Sequence, residues 1–77
     1  MKVSVSFFGP IKKPWPETTR VIELDEHTNL QSMLEALGYT PEDLSRVALV
    51  VNGKRVAPKQ QLHDQDVVRV VLLAGGG

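Results

Sequence analysis

The sequence contains no cysteine. The chain can therefore form no disulfide framework and no thiolate zinc site, and it has no thiol nucleophile. It also lacks a long hydrophobic segment, because its longest strictly apolar runs are residues 47–51 and 70–74. These runs are far shorter than the ~20 residues that a membrane helix needs. The first residues include no apolar stretch of signal-peptide length. We therefore expect a cytoplasmic protein without a membrane partner.

The chain also has no excess of positive or negative charge, and its aromatic side chains are few. Nine basic and nine acidic residues give a formal net charge of zero, and the aromatic residues are two Phe, one Trp and one Tyr. This balance gives no electrostatic reason to expect nucleic acid as a partner. His27 and His63 are far apart in the sequence and have no cysteine to complete a ligand set, so we expect no metal site. At 77 residues the chain has room for one small core.

Alternating and β-branched segments predict five strands. They are residues 2–8, 20–24, 47–51, 54–56 and 67–73. The first is predicted to be half-buried because its apolar residues recur with a period of two, and residues 47–51 are strongly β-branched. Asn52-Gly53 separates the third and fourth strands and is a strong signal for a two-residue hairpin turn.

One segment, residues 28–37, has the pattern of a helix. Its apolar residues share one face at i, i+3, i+4 and i+7: Leu30, Met33, Leu34 and Leu37. We expect Thr28 to cap this helix, with Gln31 completing a capping box, and Gly38 to take the left-handed position after it. Residues 40–44 give a second start signal with room for about one turn.

The order of the elements is β-β-α-β-β-β, which indicates an α+β protein with one main helix packed across a mixed sheet. This is the ubiquitin-like β-grasp arrangement. By analogy with that fold, the first and last strands are expected to be central and parallel neighbours. We expect residues 1–74 to form one domain and residues 75–77 to form a flexible tail.

Three glycines, Gly75, Gly76 and Gly77, end the sequence directly after the last predicted strand. Glycine loses more conformational entropy on ordering than any other residue, so a structural role for them is not expected. Residues 74–77 span at most ~14 Å when extended. Without bulky side chains they can enter a narrow channel and present the terminal carboxylate in the active site of another protein. From composition alone, a frayed terminus or a cloning remnant is the alternative.

Five short motifs resemble those of the MoaD/ThiS family of sulfur carriers, and the resemblance extends over essentially the whole chain. They are FFGP at residues 7–10, LEALG at 34–38, VNGK at 51–54, LHDQDVV at 62–68 and the terminal GG. The resemblance implies a β-grasp fold. One departure is the turn Asp64-Gln65-Asp66 where the family has Asp-Gly-Asp, from which we expect no requirement for a positive φ at position 65. The extra glycine in the tail is a second departure.

The resemblance also implies the chemistry of the terminus. Gly77, with Gly76 as its neighbour in the Gly-Gly motif, would be adenylated with ATP by an E1-like adenylyltransferase of the MoeB/ThiF type. A sulfur donor would then convert it to a thiocarboxylate that donates sulfur to molybdopterin or to the thiazole of thiamine. The receiving enzyme would be a molybdopterin synthase large subunit or a thiazole synthase. The chain itself would be a protein co-substrate without a bound cofactor, not an enzyme.

The two pathways are distinguished only by small features. The FFGP motif and the long first loop favour the molybdopterin branch, whereas residues 37–42 and the triple glycine favour the thiamine branch. We place the chain on the molybdopterin side. Two other functions are also compatible with the sequence: a protein modifier that forms isopeptide bonds through Gly77, and a β-grasp module that binds RNA or a nucleotide. The neutral charge and the lack of an aromatic platform count against the last.

A docking surface is predicted on the sheet face that the helix leaves open. If Val68 and Val70 face the core, Arg69, Val71 and Leu73 face outward, because side chains alternate along a strand. By the same alternation Val50 faces outward, and we expect Val50 and Val71 to be exposed apolar neighbours. The predicted partner-binding residues are Phe8, Val50, Val71, Leu73, Ala74 and Gly75. Exposed apolar residues on an open sheet face are typical of docking sites, and scattered surface residues are the alternative.

Overall fold

The computed structural model describes residues 1–73, and residues 74–77 lie outside the described part. Its elements are β1 (Lys2–Phe8), β2 (Thr19–Glu23), α1 (Leu30–Ala36), α2 (Pro41–Ser45), β3 (Val47–Val51), β4 (Lys54–Val56) and β5 (Val67–Leu72). The predicted order of strands around one main helix is confirmed, and the second start signal forms the short helix α2. Both helices of residues 1–73 are too short to span a membrane.

The five strands form one mixed sheet in the order β2-β1-β5-β3-β4. β1 and β5 pair in parallel at its centre, while the other pairs are antiparallel. Val5 and Phe7 on β1 and Val68 and Val70 on β5 are fully buried, as expected for central strands. Because β1 and β5 run in the same direction, Phe8 and the end of β5 lie at the same end of the sheet. This is the predicted position of the first and last strands.

Helix α1 covers one face of the sheet through Leu30, Met33 and Leu34, all of them buried in the core cluster. Its cap differs from the prediction. The side chain of Asn29, not Thr28, accepts a hydrogen bond from the Ser32 amide at 2.8 Å. The Thr28 hydroxyl instead donates to the Asp25 carbonyl at 2.7 Å. The predicted Thr28 cap is therefore wrong, because Asn29 lies next to the first helical residue and carries an equally good acceptor.

Two start and stop signals near the helices are confirmed. Gly38 has a φ of 101° just after α1, as a left-handed residue in that position requires. Thr40 caps α2 in a capping box, in which its hydroxyl accepts from the Asp43 amide and the Asp43 carboxylate accepts from the Thr40 amide. Pro41 occupies the first turn of α2, where its missing N–H is not needed.

The turn before β5 does not follow the prediction. Gln65 has a φ of 72°, so the expectation that position 65 does not need a left-handed conformation is wrong. The Gln65 amide donates to the Lys2 carbonyl at 2.7 Å, and the Asp66 amide donates to the His63 carbonyl at 3.1 Å. These bonds tie the turn to β1 and hold position 65 in a conformation that glycine adopts more easily.

Candidate functional site

The end of β5 is the point from which residues 74–77 continue, and two contacts fix it. On one side, the Leu73 amide donates to the Arg46 carbonyl at 3.0 Å, directly before β3 begins. On the other side lies Gly9, where an added Cβ would lie 3.1 Å from the Leu72 Cβ. Gly9 also has a φ of 95°. The Gly9-Pro10 motif therefore stops β1 and also makes room for the end of β5.

The sheet face opposite α1, here called the open face, carries three of the predicted docking residues, Phe8, Val50 and Val71. Phe8, Val71 and Ala48 form one row across β1, β5 and β3, because Phe8 is in register with Val71 and Val71 with Ala48. Phe8 is 40 % exposed and Leu73 is 37 % exposed. The structure thus places Phe8 beside Val71, at the same end of the sheet as the end of β5.

Val50 and Val71 differ in two respects from the prediction. Both are half-buried rather than exposed. They are also diagonal neighbours, because Val50 lies opposite Arg69 while Val71 lies opposite Ala48. Diagonal residues on neighbouring strands are still within reach of each other's longer side chains. We call Phe8, Val50, Val71 and Leu73 the apolar patch. Ala74, Gly75, Gly76 and Gly77, the other predicted site residues, lie outside the described residues.

The sequence pattern missed three residues of this site: Gly9, Arg46 and Ala48. The sequence indicates Gly9 only as part of the FFGP motif, without its contact with the end of β5. Arg46 contributes a backbone carbonyl, which no side-chain pattern can indicate. Ala48 completes the row with Phe8 and Val71, but its partner depends on the register between β3 and β5. Alternation along β3 would have placed Ala48 on the same face as Val50.

The loop between β1 and β2 is held against the helices beside the end of β5. Trp15 is buried and packs edge-on against Phe7 with ring centroids 5.4 Å apart. The Lys12 ammonium donates to the Gly38 carbonyl at 3.0 Å and to the Asp43 carboxylate at 2.8 Å. The Tyr39 hydroxyl donates to the Lys12 carbonyl at 2.6 Å. These contacts fix the wall of a cavity of about 200 Å³ that Lys12, Arg46 and Leu72 help to line.

Two pKa values are shifted in this cluster. The pKa of Asp43 is lowered to about 2, mainly by the hydrogen bond from the Lys12 ammonium and next by the one from the Thr40 backbone amide. Burial, and after it the charge of Asp43, raises the pKa of Tyr39 to about 12. Asp43 is therefore ionised and Tyr39 neutral at physiological pH, as their hydrogen bonds require. Both shifts are accounted for by contacts that hold the loop in place.

The two histidines are far apart in the sequence but lie near the same depression in the structure. His27 and His63 both line one depression at the opposite end of the sheet, together with Met1 and Asp64. Among residues 1–73, however, no three His, Cys, Asp or Glu side chains are arranged to hold a metal ion. The described part of the chain thus offers an apolar patch and a well-fixed strand end, and we find no nucleophile–base pair in it.

A mixed sheet with parallel central strands and one main helix across it defines a ubiquitin-like β-grasp domain. The sequence model of the ThiS family matches residues 5–77, and the chain belongs to this family of small sulfur carriers. No curated protein sequence gives a significant match.

Solved structures with the same fold include two related to molybdopterin-converting factor. One is the putative molybdopterin-converting factor subunit 1 from Pyrococcus furiosus, with a TM-score of 0.74 and 25% identity over 92% of this chain and 95% of that one. Another is a chain in the complex of subunits 1 and 2 of molybdopterin-converting factor from Helicobacter pylori 26695. It has a TM-score of 0.68 and 28% identity over 100% of both chains. SAMP1 from Haloferax volcanii has a TM-score of 0.78 and 13% identity, also over 100% of both chains, and shows the fold alone.

Proposed function

We propose that the protein carries sulfur as a thiocarboxylate on Gly77 and donates it in molybdopterin biosynthesis. The observation that carries this proposal is the position of the fixed strand end. Leu73, held by the Arg46 carbonyl, lies at the same end of the sheet as Phe8 and Val71. A partner that docks on the apolar patch would therefore be close to residues 74–77. The likeness to two chains related to molybdopterin-converting factor supports the choice of pathway.

The chemistry needs no catalytic group from the carrier. A carboxylate oxygen of Gly77 attacks the α-phosphorus of ATP, and pyrophosphate leaves. A sulfide nucleophile then attacks the carbonyl carbon of the acyl-adenylate, and AMP leaves with the bonding electrons. The product is a thiocarboxylate in which one oxygen has been exchanged for sulfur. Gly76 and Gly75 have no side chain that would obstruct the narrow channel in which such a reaction is shielded from water.

Three kinds of partner follow from this reaction. The proposed partners are an E1-like adenylyltransferase of the MoeB/ThiF type, a sulfur donor, and a molybdopterin synthase large subunit. The Helicobacter pylori relative was solved as a complex of subunits 1 and 2, which supports the last of these. We propose that they dock on the apolar patch, that the carrier acts as a cytoplasmic co-substrate, and that ATP binds only to the activating enzyme.

A second acceptor has independent support. The match to the ThiS family over residues 5–77 is equally compatible with sulfur donation to a thiazole synthase in thiamine biosynthesis. Both routes share the adenylate and the thiocarboxylate of Gly77, so the activation step does not separate them. They differ in the enzyme that consumes the sulfur.

The test is the intact mass of the protein after incubation with ATP, the adenylyltransferase of the same organism and a sulfide source. The expected gain equals the exchange of one oxygen for one sulfur. A variant with one serine added after Gly77 is the matched control, because it keeps every residue but moves the carboxylate, and it should gain nothing. The loaded protein is then offered to both acceptor enzymes. An isopeptide adduct on a lysine without any thiocarboxylate would indicate a protein modifier instead.

A further inference from the structure

Two arginines lie on the open face on either side of Val50. Val50 on β3 is in register with Arg55 on β4 and with Arg69 on β5. Both arginine side chains are exposed. Residues directly opposite each other on neighbouring strands have Cβ atoms about 5 Å apart. The two arginine side chains therefore leave the sheet on either side of one apolar side chain of the patch.

Neither arginine has an internal partner in the part of the chain that the structure describes. The ion pairs found there are Lys12–Asp43, Arg20–Glu17, Arg46–Glu42 and the His63–Asp66 contact. Arg55 and Arg69 take part in none of them. Their charges are thus available to a second molecule.

Acidic side chains are sparse on the open face around these arginines. Among residues 1–73, its positions by strand alternation and register are Lys2, Ser4, Ser6, Phe8, Thr19, Val21, Glu23, Ala48, Val50, Arg55, Val67, Arg69 and Val71. The single carboxylate among them, Glu23, is in register with Lys2 at the start of β1. It lies at the opposite end of the sheet from Phe8. The chain has a net charge of zero, yet the surroundings of the apolar patch are positive.

We propose that Arg55 and Arg69 select the partner: the protein that docks on the apolar patch presents carboxylates on either side of the surface that covers Val50. This inference rests on the proposed carrier function and adds the charge of the partner's surface. Arginine binds a carboxylate with two parallel hydrogen bonds, which fixes orientation as well as affinity. Complementary charge around an apolar centre also accelerates association and disfavours neutral or basic partners.

A protein partner fits this surface better than nucleic acid. Nucleic-acid sites combine a continuous basic stripe with several stacking aromatics. Here Val50 separates the two arginines, and Phe8 is the one aromatic side chain on the described open face. The neighbours of the arginines are aliphatic or small, as in the centre of a protein interface with charged groups at its rim.

The first experiment compares association rates with the adenylyltransferase and with the synthase large subunit. The open-face variant is Arg55→Glu/Arg69→Glu, and the control is Lys13→Glu/Lys59→Glu, which changes the net charge equally. Lys13 and Lys59 belong to loops that contact the helices, since Lys12 bonds to Gly38 and the carbonyls of residues 58 and 60 accept from α1. We expect the open-face variant to associate at least about tenfold more slowly and the control less than about twofold. The difference in association rate between the two variants should decrease as the salt concentration is raised.

Thiocarboxylate formation at saturating enzyme is measured in parallel to separate the two proposals. If the wild type gains sulfur and the open-face variant associates as fast as the control, the selecting role of the arginines is wrong and the carrier function stands. If the wild type binds without gaining sulfur, the carrier function is wrong, and the rates still decide the role of the arginines. A wild type that binds neither enzyme overturns both proposals. A single-stranded RNA that the wild type binds and the open-face variant does not would also overturn the selecting role.

The second experiment detects the carboxylates directly. In the variant Arg55→Lys/Arg69→Lys the positive charge is kept, and a carbodiimide couples each new amine to a carboxylate in contact with it. Mass spectrometry of the cross-linked complex should find positions 55 and 69 joined to Asp or Glu of the partner. Cross-links from other lysines of the carrier, with none from positions 55 and 69, would contradict the proposal.

Discussion

Gly9 and Leu72 lie so close together that a Cβ atom at position 9 would be 3.1 Å from the Leu72 Cβ. This approach brings the end of β1 against the end of β5, where residues 74–77 begin. Phe8 precedes Gly9 and is in register with Val71. The close approach at Gly9 therefore holds the end of β5 next to Phe8 of the apolar patch.

Replacing Gly9 with alanine should destabilise the fold by two effects. A positive φ strains any residue with a side chain, and the contact with Leu72 adds overpacking, so we expect a loss of about 2–4 kcal/mol in the free energy of unfolding. Gly38→Ala is the matched control, since Gly38 has a φ of 101° with nothing within 4 Å of the added Cβ. Urea unfolding should show the larger loss for Gly9→Ala. Equal losses would mean that the contact with Leu72 is relieved without cost.

The ion pair between Lys12 and Asp43 should make stability depend on pH in the acid range. The pKa of Asp43 is lowered from 3.8 to about 2 in the folded protein. A carboxyl group of this kind stabilises the fold fully above its unfolded pKa and loses that contribution as pH falls through the folded value. The difference in unfolding free energy between the wild type and Asp43→Asn should thus be constant near neutrality and shrink between about pH 4 and pH 2.

The control for the acid-range prediction is Glu42→Gln, which removes the exposed pair with Arg46 at 2.7 Å. Exposed pairs contribute little, so we expect a change below about 0.5 kcal/mol at any pH. Chemical unfolding at several pH values provides both curves. If the difference in unfolding free energy between the wild type and Asp43→Asn stays constant down to pH 2, the lowered pKa of Asp43 is contradicted.

Gln65→Gly should stabilise the protein. Gln65 has a φ of 72°, a conformation that costs a residue with a Cβ about 1–2 kcal/mol. Glycine removes this strain but is more flexible when unfolded, which leaves an expected gain of about 0.5 kcal/mol. Gln60→Gly is the control, because Gln60 is not among the residues with positive φ. Glycine relieves no strain there, so this substitution should destabilise the protein. Thermal unfolding of both variants checks the pair, and a loss for Gln65→Gly would contradict the prediction.

A charge on the apolar patch should block docking. Val71→Glu places a carboxylate between Phe8 and Ala48, and we expect binding to the adenylyltransferase to weaken at least about tenfold, or about 1.4 kcal/mol. Val21→Glu is the control, because Val21 is 63 % exposed on the same face but lies on the edge strand β2. Calorimetric titration of both variants measures the difference. Equal affinity of the two would place the docking surface elsewhere.

Features that depend only on neighbours along the chain could be predicted from the sequence. The hairpin at Asn52-Gly53 has φ values of 52° and 84°, as its residue types predict. The apolar face of α1, the stop at Gly38 and the alternation of β1 are also local patterns, and all were predicted correctly. These features can be predicted because each depends on residues within one turn or a few positions of a strand.

Relations between distant segments become visible only in the folded protein. Whether Thr28 or Asn29 caps α1 depends on the residue at which the helix begins, and Asn29 lies there, in a bridge with the distant Gln61. The left-handed conformation of Gln65 depends on its hydrogen bond to Lys2. The register of β3 against β5 places Arg69, not Val71, opposite Val50. A shift by one residue would have turned these side chains to the other face. Such a register is set by packing of the whole core, which no local pattern contains.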